Sequence, residues 1–265
     1  MTHSKFEDAG YLSTQAEQIR ADVRSDNPEW FQLAEDLNAI LVRIAFHATN
    51  TVKTDNWAPQ AVATRILLRA SGTFQGAVLL AERGMTAEAR ILARSLIEDA
   101  FCIAAIVSKP GEFLALLKED SEGSRKRQGQ FIETRGLVAK GDARDKLLAA
   151  IDALGKPSTM NVKHLAHLGA LTNQYLAYQR LSDDAGHTSA SALEHHVQRS
   201  PDGSGWHYKS QPATKDENAA TLHHILLGAM PIGVGITELL KDEANGRDLG
   251  PIIDRFAAMP PVETI

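Results

Sequence analysis

Apolar residues in this chain recur every three or four positions over long stretches, and that period predicts helices. Between residues 28 and 50 the stripe is Trp30, Leu33, Leu37, Ile40, Leu41, Ile44 and Ala45. Pro28 behind Asp26 and Asn27 marks its start, with capping residues ahead of a proline in the first turn. Residues 58–83 repeat the pattern through Val62, Ile66, Leu67, Phe74, Val78 and Leu79, and Gly84 ends the helix as a left-handed cap would. Thr86 opens a third helix that runs to Ser108, where Lys109-Pro110-Gly111 breaks it.

The pattern then thins. Residues 111–136 predict a polar helix with sparse apolar positions, half covered by the rest of the protein. Short helices are predicted near 141–154 and 160–169, and another over 171–185. The stretch Val197 to Lys209 breaks the period: Pro201-Asp202-Gly203 is a turn signal between short β-favouring pieces that include Trp206-His207-Tyr208. A last long helix is predicted from Asp216 to Lys241, and a short one from Pro251 to Met259. The expected fold is therefore all-α: a single helical-bundle domain with a small β-hairpin or extended excursion near 197–209. Residues 1–26 read as an N-terminal helical extension and 27–265 as the helical domain, with the polar motifs between 87 and 240.

Composition narrows this picture only a little. The 265 residues are 43% hydrophobic and 23% charged, which argues for a folded globular chain. A formal charge of −5 gives no general attraction to nucleic acid, although a local basic face is compatible with it. One cysteine, Cys102 in AFCIAAIV, excludes an intramolecular disulfide and a cysteine-rich zinc module. The N-terminus lacks a basic start followed by an apolar core, and the apolar stretches read as shorter than the roughly 20 residues of a spanning helix. A cytoplasmic protein with no membrane partner is expected.

Candidate chemistry gathers in two clusters. In AEARILARSLIEDAFCIAAIV, Arg94 and Glu98 are four apart and share a helix face, with Arg90 and Phe101 on the same stripe. One reading is a surface ion pair worth at most about 1 kcal/mol. The other places Glu98 at the edge of a buried stretch, where Arg94 neutralises it and it orients a histidine or binds a hydroxyl. The second cluster is Tyr175, Tyr178 and Ser182, followed by His187 behind Gly186. His187 reads either as a loop or capping residue or as a general base, and the tyrosines either as core or as site.

Other polar features carry less. His164 and His167 have a spacing that can serve one metal, but no HExxH or paired ExxH element is present, so neither a metal site nor a cofactor is expected. Ser124-Arg125-Lys126-Arg127, flanked by Glu119, Asp120 and Glu122, reads as a solvated face or as a phosphate patch. There is no glycine-rich phosphate loop and no GxSxG elbow.

On ARSLIEDA, with Arg94 and Glu98, and on HLGALTNQYLAYQRLSDDAGH, with Tyr175, Tyr178, Ser182 and His187, the segment from Ala87 to Leu240 resembles an uncharacterised bacterial helical family. That family is the domain of unknown function numbered fifty-six seventy-seven. The resemblance implies an all-helical fold and brings no activity with it. Over a shorter pattern the chain is similar to the HEPN superfamily, helical domains that carry an arginine and a histidine four to six residues apart. Arg180 and His187 have six residues between them, with Leu181 where that pattern often has a polar residue.

The HEPN likeness implies metal-independent RNA cleavage at a dimer interface. Arg180 would hold the phosphate, His187 would take the 2′-hydroxyl proton and Glu98 would orient it, with Arg94, Tyr178 and Ser182 binding ligand. The alternative expectation is a non-catalytic helical module for a small-molecule ligand or a partner, in which the same side chains form a structural polar network. Self-association as a homodimer is expected in either case.

Overall fold

Helix α5 (Thr86–Ser108) is the central helix of the bundle, packed against five others. The computed structural model describes residues 5–155, 158–185, 188–200, 202–209 and 212–262. Among them are twelve α-helices and one two-stranded antiparallel hairpin, so the chain is an all-α bundle with a small β-hairpin. Leading to α5 are α1 (Phe6–Ala9), α2 (Ala16–Asp26), α3 (Pro28–Thr51) and α4 (Pro59–Ala81). After it come α6 (Pro110–Thr134), α7 (Asp142–Asp152), α8 (Val162–Leu168), α9 (Gln174–Ala185) and α10 (Ala190–Glu194). The hairpin of β1 (Val197–Arg199) and β2 (Trp206–Tyr208) is followed by α11 (Lys215–Leu240) and α12 (Glu243–Ala257).

The sequence of α5 explains its central place. Ala89, Ala93, Leu96, Ile97, Ala100, Phe101, Ile103, Ala105 and Ile106 bury the helix on nearly every side. It meets α4, α6, α8, α9 and α11. The small residues let neighbours come close. At Gly228 of α11 a Cβ would stand 2.8 Å from Leu96 Cβ and 2.9 Å from the Ile97 backbone nitrogen. Only glycine fits there, because backbone cannot retreat as a flexible side chain can. Arg90 and Phe101, read from the sequence as part of a polar stripe with Arg94 and Glu98, are instead fully buried, because α9 and α11 cover that side of α5.

Helix α11 starts with a capping box. Thr214 Oγ1 accepts from the Glu217 backbone N–H, and the Glu217 carboxylate accepts from the Thr214 N–H. By length and composition α11 is apolar enough to cross a membrane, contrary to the expectation that no stretch would be; Gly228, Gly233 and Gly235 interrupt its apolar run and hide its length. Most of that window, 72%, is buried in the bundle, as a core helix would be.

One boundary and one additional element differ from the sequence expectation. Helix α12 begins at Glu243 and carries Pro251 in its interior, rather than starting at Pro251. Asp242 caps it from the Asn245 backbone N–H, and Arg43 of α3 pairs with Asp248, so the first turns are anchored before the proline. Pro251 is exposed, where the backbone hydrogen bond it removes can be replaced by water. Helix α10 was not expected at all; its signal is Ser189, whose Oγ accepts from the Ala192 N–H. The hairpin falls where the turn signal placed it, with Val197 opposite Tyr208 and Arg199 opposite Trp206. Gly203 takes the left-handed conformation at its tip (φ +73°).

Candidate functional site

The polar side chains of α5 meet those of α9 along one seam. Arg94 Nε donates to Ser182 Oγ at 2.8 Å and Nη2 donates to the Tyr178 hydroxyl at 2.7 Å. Nη1 lies 3.7 Å from Glu98 Oε2. The guanidinium also sits over the Tyr178 ring, 4.8 Å from its centroid, a cation–π contact. Tyr175 stacks on Tyr178 (centroids 5.8 Å apart, planes at 21°) and Phe101 meets Tyr178 edge-on. Burial raises the Tyr178 hydroxyl above its ordinary pKa, and the Glu98 carboxylate adds to the shift against the pull of Arg94. This cluster lies at a rim: the Arg94 side chain is 27% exposed and that of Glu98 34%.

One turn earlier on α5 the arrangement repeats deeper. Arg90 is 1% exposed. Its Nε donates to Thr221 Oγ1 of α11 at 3.0 Å, and Nη1 donates to Asp184 Oδ2 of α9 at 3.0 Å. The other oxygen of Asp184 pairs with His195 Nε2, just beyond α10. A carboxylate only accepts, so His195 Nε2 is the donor in this pair. Burial raises the Asp184 carboxyl, but His195 and Arg90 outweigh it and hold the group below the usual carboxylate range. Arg90 Nη2 is buried and has no hydrogen-bond partner among the described residues.

A third pair closes the outer side of α5. Arg69 of α4 donates to Asp99 Oδ1 at 2.6 Å and to Ser95 Oγ at 3.1 Å. Asp99 is buried and its Oδ2 has no hydrogen-bond partner among the described residues. Burial pushes its carboxyl up to about 6, against the charge of Arg69. Burial likewise pushes the Cys102 thiol up to about 12, which makes it inert at neutral pH.

The structure thus brings Arg94, Glu98, Tyr178 and Ser182 together. Arg180 projects from an exposed position of α9, two residues beyond Tyr178. His187 lies outside the described residues. The basic run on α6 is partly spent on backbone. Lys126 Nζ donates to the carbonyls of Leu154 and Gly155, and Arg127 to that of Ser158, which ties α6 to the end of α7. His164 lies 3.3 Å from Glu112.

Sequence reasoning missed the Arg90–Asp184–His195 centre. Asp184 follows Leu181 and Tyr178 at helical spacing, so its burial was readable; its partner, 94 residues away, was not. Two cavities flank this centre. The larger, about 800 Å³, opens between the start of α3 and the start of α11, with Arg90 on its wall. The smaller, about 220 Å³, is lined by His195, His196 and the start of α5. Glu217 borders both.

These features define a helical protein whose central helix carries three arginine–carboxylate pairs at different depths, beside two cavities. The chain belongs to the Family of unknown function (DUF5677), whose model matches residues 60–204, more than half of its length. The match begins earlier than the resemblance read from the motifs and stops before α11. It therefore holds Arg90, Asp184 and His195 but leaves out Thr221 and the α3 and α11 walls of the larger cavity. No curated protein and no solved structure matches the chain.

Proposed function

We propose that this protein is a non-catalytic helical module that binds a small-molecule ligand, and that the polar seam between α5 and α9 is part of its frame. The observation that carries this reading is the engagement of Arg94. Its three guanidinium nitrogens face Ser182, Tyr178 and Glu98, which makes it a clamp between two helices rather than a free phosphate hook. Exposed Val42 and Phe46 on α3 and Leu68 on α4 offer apolar area to a homodimer in the cytoplasm.

The competing reading is a HEPN-like metal-independent ribonuclease in which Arg180 holds the phosphate and His187 takes the 2′-hydroxyl proton. The test is RNA incubated with the purified protein and a chelator, beside thermal unfolding of Arg94→Ala. The frame reading expects intact RNA and a lower melting temperature. Chelator-resistant cleavage that disappears in His187→Ala would overturn it and establish the ribonuclease.

A further inference from the structure

We propose that the cavity of about 560 Å³ between α5, α11 and α12 is a binding site for a small arylalkylamine, a ring that carries a hydrogen-bond donor and a short arm that ends in an ammonium. This rests on the ligand-module reading and adds the site and the class of ligand. The cavity shares no lining residue with the two beside Arg90.

Its floor is set by small residues. At Gly169 a Cβ would stand 2.5 Å from Ala104 Cβ, and at Gly235 it would stand 2.5 Å from Ile103 Cγ2, so the end of α8 and the body of α11 lie directly on α5. Larger apolar side chains rise around that floor: Val107, Leu171, Met230, Val234, Ile253 and Phe256. Phe256 stacks on His223 (centroids 4.9 Å apart) and meets Trp30 edge-on, so its ring stands in place before any ligand arrives. A fixed phenyl ring and the Met230 thioether are good neighbours for an aromatic body.

Acceptors stand at both ends of one face of α11. Leu227, Pro231, Val234 and Glu238 follow helical spacing, and all four line the cavity. Pro231 has no N–H, so the Leu227 carbonyl loses its helical donor and opens beside the proline ring. Glu238 is exposed at the other end, and its carboxylate has no ion-pair or hydrogen-bond partner among the described residues. Val107 and Ser108 border the cavity from the last turn of α5, which adds the negative character of a helix C-terminus. None of the described lining residues is basic, and burial holds His223, behind Phe256, down to about 4, so it is neutral at pH 7. The start of α9 also borders the cavity, but the Gln174 N–H is spent on the Leu171 carbonyl. A cation is therefore favoured at Glu238 and a neutral donor at the Leu227 carbonyl. Leu227 and Glu238 are eleven residues apart, about 16 Å between Cα atoms along a helix. The carbonyl points toward the C-terminus and the Glu238 side chain leans back toward the N-terminus, so the two acceptors are closer than that and within reach of a bicyclic ring with a two-carbon arm.

The experiment is isothermal titration of the full chain with three probes that share one ring system. Tryptamine is expected to bind saturably. Tryptophol, with a hydroxyl in place of the ammonium, is expected to bind at least tenfold more weakly, and ring N-methylated tryptamine, which lacks the donor, several-fold more weakly. Glu238→Gln, an exposed change, is expected to bring tryptamine down to the level of tryptophol. Pro231→Ala, which restores the N–H that the Leu227 carbonyl lacks, is expected to bring tryptamine down to the level of its N-methyl derivative. No binding of tryptamine, equal binding of all three probes, or a preference that survives its own variant would overturn the proposal. If intact RNA and the Arg94→Ala destabilisation accompany that failure, the ligand class falls and the module reading stands. Chelator-resistant RNA cleavage removes the non-catalytic reading alone, and the three probes still decide this site.

Discussion

Arg90 and Arg94 stand one turn apart on α5 and both hold α9, yet they are different devices. Arg90 is sealed inside with Asp184, Thr221 and His195 around it and one nitrogen unanswered. Arg94 lies at the rim, flat against Tyr178, with every nitrogen facing a polar neighbour. The difference is solvent. At depth a missing partner cannot be replaced by water, so breaking a pair there costs far more than the pair contributes when intact. At the rim water substitutes and the loss is small. The deep arginine is therefore held by the fold as a whole, and the shallow one acts as a local clamp.

The largest expected effect follows directly. Arg90→Met should lower stability by about 3–5 kcal/mol, because Asp184 is left buried and charged with only His195 beside it. For a chain of this size that is a fall in melting temperature of roughly 10 °C, read by thermal unfolding. The double variant Arg90→Met with Asp184→Leu should recover much of the loss, since an apolar pair replaces a buried ion pair at little cost. A double variant no more stable than the single one would show that the two sites do not depend on each other.

Asp99 is the next test, because it is buried like Asp184 but is held by an exposed arginine. Its folded pKa, about 6, lies above the ordinary value, so the folded protein binds the proton more tightly than the unfolded chain. Stability from this group is present at pH 4 and is lost as pH rises to about 6. The full swing is up to roughly 3 kcal/mol. Asp99→Asn should remove that slope, and the difference between the two stability curves isolates it. His223 of α11 runs the other way. Burial and then the neighbouring His224 depress it to about 4, so its contribution is present above pH 6.5 and is lost as pH falls toward 4. A difference curve flat between pH 4 and 6 would mean that Asp99 is solvated in solution.

Smaller effects belong to the rim. Arg94→Ala should cost about 1–2 kcal/mol, from two hydrogen bonds and the Tyr178 stacking that water only partly replaces. Glu98→Ala should cost under about 1 kcal/mol and less again in high salt, because the pair is partly exposed at 3.7 Å. Unfolding midpoints in urea at low and high salt check both. A Glu98 effect as large as that of Arg90 would erase the contrast between the two depths.

Much of the fold was legible from period alone. The helices at 28–51, 59–81 and 86–108 follow stripes and caps local to each segment, and the hairpin follows its turn residues. The polar residues of ARSLIE and of the tyrosine helix stood out on apolar faces as groups that need partners, but the sequence did not show that they meet. What stayed hidden depended on distant contacts. Arg90 resembles Arg94 in the sequence, and only the cover of α9 and α11, through Asp184 and Thr221, buries the one and spares the other. His195 looked like half of an adjacent pair, since nothing in its local sequence announces Asp184 eleven residues earlier as its partner. The early start of α12 does have a local signal, the Asp242 cap, but Pro251 masks it in the sequence pattern.

Glu217 joins several of these threads. It closes the capping box of α11, receives Lys209 from just beyond the hairpin, and stands between the large cavity and the small one. A single carboxylate is in that sense a shared partition. Any replacement at this position remodels both chambers and frays a helix start in the same stroke, so neither chamber can be retuned there without disturbing the other.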